Sequence, residues 1–312
     1  MSSVEWPSLL SRLIAKEVNF KWRLGSKVIV PTVGLISKLW MQCLNSSHVQ
    51  NRVVLLDTLA KHYKNKDKRP LITISNHSSC LDDPLIWGVL IPMKWQLNAG
   101  RHRWSAAAQE ICFTNVLYSM FFAMGKTFPI IRGKGLYQPA MDYALNLLKD
   151  GQWIHFFPEG KVVMRNKEID SLRSPRLETH VNVSEDIDCE VKPSYDLKWG
   201  LARLLLDHVF NDNTYPEVEV LPFYHLGMDD ILPTQEPYIP RVNKRTTFYI
   251  REDGPIVVNR NFLSELMDDI SSLSSKDKRI KIMRFFESEM NSLKVKAIEI
   301  HNNLENIVNI KH

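Results

Sequence analysis

From residue 70 onward the chain alternates short apolar runs with helical stretches, and this alternation restricts the fold more than any other feature. Residues 71–75 (LITIS), 128–131 (FPII), 153–157 (WIHFF), 218–223 (VEVLPF) and 246–251 (TTFYIR) have the length and the β-branched and aromatic content of buried strands. Between them, 136–149 and 198–209 carry apolar residues at helical spacing. The expected fold class is α/β, a sheet flanked by helices, with ligand chemistry at strand ends. No internal repeat is visible. At 312 residues, either two domains or one elaborated α/β domain is allowed. We divide the chain into an N-terminal segment, 1–45, and one domain, 46–312.

Composition removes several alternatives. With 44% hydrophobic and 24% charged residues the chain can build a core, so wholesale disorder is excluded. Lys plus Arg exceed Asp plus Glu by 40 to 35, too little for a committed nucleic-acid binder but compatible with an anionic membrane surface. Cys43, Cys80, Cys112 and Cys189 form no C-x-x-C pair, so they read as free thiols rather than as a zinc ribbon or disulfide framework.

Two uncharged stretches, 28–37 and 111–125, are ten and fifteen residues long. A spanning helix needs about twenty, so both are expected to dip into a membrane surface without crossing it. Trp6, Leu9, Leu10, Leu13 and Ile14 form an apolar stripe with Arg12 and Lys16 off it, an amphipathic basic helix. An ordinary packed helix and a cleaved transit peptide are the rivals; Glu5 and Glu17 weigh against the second. Trp6, Leu9, Leu13, Trp40, Phe121 and Phe122 are the expected membrane-contacting residues of a monotopic protein.

The polar stretch 164–195 breaks the alternation and reads as a mobile surface insertion. A long C-terminal helix is expected over 276–308. Its seam of Met283, Phe286, Met290, Leu293, Ala297, Ile300, Leu304 and Ile307 steps by threes and fours. That seam can zip to a second copy, giving a homo-oligomer, but packing back onto the domain is the expectation.

Three strand ends carry chemistry. The first runs Asn76-His77-Ser78-Ser79-Cys80-Leu81-Asp82. An Asp five positions after a His can accept the proton of one ring nitrogen and leave the other as a general base. A metal site from His77, Cys80 and Asp82 lacks a second ligand cluster, and a capping Asp with an incidental His is the bland alternative. The second end, Arg132-Gly133-Lys134-Gly135, precedes a helix and suits an anion such as phosphate. It is neither a dinucleotide fingerprint nor a P-loop, and no G-x-S-x-G occurs. The third, Pro158-Glu159-Gly160-Lys161, brings an acid and a base to another strand end.

Together these blocks resemble the glycerolipid acyltransferase family: His-x4-Asp, an Arg-bearing strand end and Pro-Glu-Gly. The strings 106–114 (AAAQEICFT), 132–138 (RGKGLYQ), 155–162 (HFFPEGKV), 198–200 (KWG) and 225–233 (HLGMDDILP) extend the resemblance over about 50–310 and narrow it to one transacylase branch. The insertion 164–195 departs from the pattern. The resemblance implies an enzyme that needs no metal, nucleotide or other cofactor. It implies catalysis by His77 and Asp82, with Arg132, Gly133, Gly135, Glu159, Gly160 and Lys161 around the substrate. Arg132 would hold the lipid phosphate, and Glu159 would orient the glycerol or a cationic neighbour. The implied reaction is CoA-independent phospholipid–lysophospholipid transacylation that remodels cardiolipin. Its implied substrates are cardiolipin, monolysocardiolipin and phosphatidylcholine, on mitochondrial membranes facing the intermembrane space. An acyl-CoA-dependent lysophospholipid acyltransferase shares every block and stays open, as does a non-catalytic membrane-surface scaffold.

Overall fold

A computed structural model describes residues 20–64, 69–163, 197–211, 216–233, 236, 238–267 and 270–309. The expected amphipathic stripe (Trp6, Leu9, Leu13) and the insertion 164–195 lie outside these residues. In chain order the main elements are α1 (Phe20–Cys43), β1 (Ser46–Gln50), α2 (Arg52–Lys64), β2 (Leu71–Ile74), α3 (Asp82–Leu90), α4 (Met93–Gln96) and β3 (Trp104–Ala108). After these come α5 (Gln109–Cys112), α6 (Val116–Met124), β4 (Thr127–Ile130), α7 (Pro139–Lys149) and β5 (Trp153–Phe156). The chain continues with α8 (Gly200–Asn211), β6 (Val218–Leu226), α9 (Met228–Ile231), β7 (Arg245–Ile250), β8 (Ile256–Val258), α10 (Arg260–Met267) and α11 (Ser275–Asn309).

The fold is α/β, as the alternation requires. One eight-stranded sheet runs β1-β7-β6-β2-β5-β3-β4, with β8 pairing β6. β2 lies parallel between β5 and β6, so the strand that leads to His77 is central. β6 changes partners at Pro222, pairing with β2 up to that residue and with β7 from Phe223. A proline is tolerated there because the ladder is being handed over.

Alternation along each strand divides the core into two layers. Ile72, Ile74, Ile154 and Phe156 face one cluster, built with α7, α8 and α11. Leu71, Trp153, Leu221 and Phe223 face the other, built with α2 and α3. The C-terminal seam packs back as expected: Met283, Phe286, Met290, Leu293 and Ala297 are all buried in the first cluster. Three strands escape the sequence pattern. β1 is polar, β3 is mostly alanine, and β8 has only three residues. β1 and β3 lack the β-branched density that marks a strand, and β8, though wholly β-branched, is too short to register as one.

Among the described residues no helix is long and apolar enough to cross a membrane. The stretch 111–125 forms a crossover between parallel β3 and β4. The stretch 28–37 lies inside α1, which packs Val30, Ser37 and Met41 inward and leaves Val28, Leu35, Ile36 and Leu39 exposed. Trp40, expected at headgroup level, instead packs half-buried against the second core cluster. Helical phase places it there, three positions after buried Ser37. Phe122 is likewise half-buried against the first core cluster, whereas Phe121 is 44% exposed.

Candidate active site

Beyond Ile74 the backbone leaves the sheet and wraps around one carboxylate before α3 begins. Asp82 Oδ2 meets His77 Nδ1 at 2.9 Å and accepts the main-chain N–H of Ser78 at 2.7 Å and of Ser79 at 2.9 Å. A carboxylate accepts only, so the ring proton is assigned to Nδ1 and Nε2 is the free base. Asp82 is fully buried, while the His77 side chain is 18% exposed. The imidazole lies on the Phe157 ring, centroids 4.2 Å apart and planes within 18°.

The loop holding His77 is fixed from three directions. Its N–H donates to Glu159 Oε2 at 3.1 Å, and its carbonyl accepts the Val163 N–H at 2.8 Å. Asn76 and His225 clamp each other: the Asn76 amide donates to the His225 carbonyl and accepts the His225 N–H, each at 2.9 Å. The His225 ring donates from Nε2 to the Asn76 carbonyl at 2.8 Å and lies 3.7 Å from Asp82 Oδ2. Burial lowers the His225 pKa, which favours this neutral donor form.

Glu159 therefore does not stand where the sequence reading put it. It is buried, it is absent from the cavity wall, and it supports the backbone of His77. Burial pushes its carboxyl up to about 7, and the His77 N–H opposes that shift. Gly160 sits in the turn after it at φ +68°, a left-handed backbone suited to glycine. Lys161 is exposed and does not line the cavity.

The Arg132 loop is also built differently from the expectation. α7 begins at Pro139, four residues beyond Gly135, and a proline in the first turn has no N–H to offer an anion. The Gln138 side chain closes the loop on itself, accepting the Ile131 N–H at 2.9 Å and donating to the Gly135 carbonyl at 2.8 Å. Gly133 and Gly135 are exposed turn residues at positive φ. The usable anion group is the Arg132 side chain, 46% exposed and 3.4 Å from Glu110 Oε1. Arg203 of α8 anchors the loop from behind. It donates to the Leu136 carbonyl and to Asp142 and Asp207, and lies 4.7 Å from the Tyr137 ring centroid.

Two groups, half-buried Asp83 and buried His155, escaped the sequence reading. Asp83 lines the same cavity as His77 and binds Arg103 through both oxygens, with Ser105 and Trp87 donating to Oδ1. Burial favours its neutral form, but Arg103 and His155, with the Arg103 and Ser105 hydrogen bonds, hold the acid at about 2. His155 lies fully buried, 3.0 Å from Thr73 Oγ1, and burial lowers it to about 3. It is a neutral core histidine. The sequence offered only the adjacency of Asp83 to Asp82 and the place of His155 in a strand.

His77, Cys80, Arg132 and Gly160 share the wall of one cavity of about 290 Å³. Its remaining wall is largely apolar, with Ile29 and Val33 from α1, Ala106 and Ala107 from β3, and Phe121 and Phe122 from α6. The small side chains of β3 leave the space, and α1 encloses it. Cys43, Cys80 and Cys112 are free thiols; Cys189 lies outside the described residues. The arrangement places a general base and a cation at the wall of an apolar chamber.

The family model described as Acyltransferase matches residues 50–225. The protein named Tafazzin from Drosophila melanogaster is 37% identical over 246 residues, covering 78% of this chain and 54% of that one. This chain thus spans about half the length of the fly protein. The protein named Taffazin from Dictyostelium discoideum is 32% identical, covering 81% and 80% of the two chains. The N-acylphosphatidylethanolamine synthase of Arabidopsis thaliana is 33% identical, covering 74% and 72%.

Proposed function

The chain belongs to the tafazzin group of the acyltransferase family, and from that premise we propose that it moves an acyl chain from a donor phospholipid to a lysophospholipid. The observation that carries this reading is the shared cavity: a His–Asp dyad, an arginine and an apolar chamber meet in one wall. His77 Nε2 takes the proton of the lysolipid hydroxyl while Asp82 steadies the imidazolium through Nδ1. The hydroxyl oxygen attacks the ester carbonyl carbon of the donor. The tetrahedral adduct collapses by breaking the bond to the donor's glycerol oxygen, and His77 returns the proton to that oxygen. An ester replaces an ester, so the exchange is nearly thermoneutral and one dyad serves both half-steps.

Arg132 holds a lipid phosphate by its planar fork, and the acyl chain lies against Ala106, Ala107, Phe121 and Phe122. In this reading the substrates are cardiolipin, monolysocardiolipin and phosphatidylcholine, the donor is a phospholipid rather than acyl-CoA, and the enzyme rests on a mitochondrial membrane facing the intermembrane space. Family membership supports these finer assignments. The likeness to the Arabidopsis synthase favours a second reading, in which the acceptor is the amine of phosphatidylethanolamine.

One assay separates the alternatives. Purified protein is given acyl-labelled phosphatidylcholine with monolysocardiolipin or phosphatidylethanolamine, with and without acyl-CoA. Label in cardiolipin without CoA supports the proposal. Alkali-stable label in phosphatidylethanolamine supports the amide reading. A strict requirement for acyl-CoA overturns both.

A further inference from the structure

The strands that surround the site finish along one edge of the sheet. β2 to β6 run parallel, so Ile74, Ala108, Ile130, Phe156 and Leu226 end together there. β7 runs antiparallel to β6, and β1 runs parallel to β7, so both begin at that edge, at Arg245 and Ser46. Residues 238–244, which feed β7, therefore lie on the same edge as His77 and Arg132, towards the end of the sheet away from β4.

This segment exposes Tyr238, Ile239 and Val242 by 62%, 62% and 45%. Its root is tied down. The Arg241 N–H donates to the Ile231 carbonyl, Asn243 N–H to the Leu44 carbonyl, Lys244 N–H to Asn45 Oδ1, and Ser46 N–H to the Lys244 carbonyl, all within 2.9 Å. A segment held this firmly still presents three large apolar side chains to solvent. The Leu44 bond places them beside the end of α1, where Leu39 and Leu44 are 52% and 43% exposed. The segment also carries Arg241, Lys244 and Arg245 with no acidic residue from 238 to 245. At the far end of the edge, Val116, Leu117 and Tyr137 are likewise exposed. Five strand spacings separate β7 from β4, roughly 24 Å, and the strand that leads to His77 lies between them.

We infer that 238–242 is a second membrane footing, whose occupant is an anionic phospholipid bilayer. The inference rests on the lipid-substrate reading above. Tyr238, Ile239 and Val242 enter the acyl boundary while Arg241 and Lys244 stay at phosphate level, the division that an apolar tip with basic flanks favours. With the α6 end planted on the other side, the two footings set the cavity against the lipid, so an acyl chain passes between bilayer and site without crossing water.

The test compares the full chain with a Tyr238→Ser, Ile239→Ser, Val242→Ser triple variant in co-sedimentation with vesicles of phosphatidylcholine and cardiolipin. Transfer between short-chain lipids dissolved as monomers is measured in parallel. Losing one partly inserted apolar side chain weakens partitioning by about tenfold, so the triple variant should lose on the order of a hundredfold or more. Monomeric transfer and the melting curve should be unchanged, because the altered side chains are exposed. Ile239→Ser alone should show about a tenfold loss. Wild-type vesicle affinity in the triple variant overturns the footing and leaves the transacylase reading intact. So does a change in self-association at unaltered vesicle affinity, which would assign the patch to a second copy. Loss of vesicle binding in a protein that transfers no acyl group supports the footing and defeats the functional reading.

Discussion

Glu159 reaches the His77 loop through main chain alone: its Oε2 accepts the N–H of His77 at 3.1 Å. The acid of the Pro-Glu-Gly block thus sets where the histidine stands. Glu159 supports the backbone of His77 as Asp82 supports its ring. Two carboxylates and a clamp of the Asn76 side-chain amide on the His225 backbone hold one imidazole at a cavity wall.

His77→Ala should remove the base and lower turnover by roughly a hundredfold to ten-thousandfold, with the melting temperature unchanged. Asp82→Asn should cost a comparable factor, because an amide can present its N–H₂ where three donors now converge on Oδ2. Steady-state transfer by either purified variant at wild-type rate would rule out the dyad.

Arg132→Ala should raise the lysolipid KM by about tenfold with a smaller effect on kcat, and Arg132→Lys should recover only part of the loss. Glu110→Gln should move KM the other way, since it removes the carboxylate 3.4 Å from the guanidinium that a phosphate must displace. Parallel KM values for wild type and both Arg132 variants would place the phosphate elsewhere.

Ala107→Phe should fill the chamber beside β3 and penalise long acyl chains more than short ones, with the ratio of their kcat/KM values changing by about tenfold. Competition between donors of different chain length reads this directly. An unchanged ratio means the chain does not run past β3.

The pH dependence of stability should carry a Glu159 signature. Its carboxyl is raised from 4.5 in the open chain to about 7 in the fold by burial. The folded state therefore holds the proton more tightly. That contribution is complete below pH 4.5 and is lost as pH rises through 7. Against Glu159→Gln, which cannot ionise, the wild type should lose on the order of 3 kcal/mol across this window. Urea melts of both proteins at several pH values give the difference; a flat difference would mean the carboxyl titrates as if exposed.

The sequence carried the α/β class, the apolar C-terminal seam and the identity of the His77–Asp82 pair in local spacing, whereas the return of that seam onto the domain is a fact of tertiary packing. Strand runs repeat at two residues and helices near 3.6, and a His followed five positions later by an Asp spans a single turn. It also carried Arg132 to a strand end. Only the tertiary structure decided what those residues touch. Glu159 meets His77 across 82 positions, and Asn76 meets His225 across 149. Neither distance leaves a period in the chain. β3 was illegible because its alanines have no strand signature, although those small side chains make the chamber. Trp40 read as an anchor by residue type, yet helical phase turned it toward the core. Local spacing fixes elements and adjacent pairs. Which strand ends meet, and which face of a helix is covered, follows from how the sheet orders its strands and from which apolar surfaces are buried against one another.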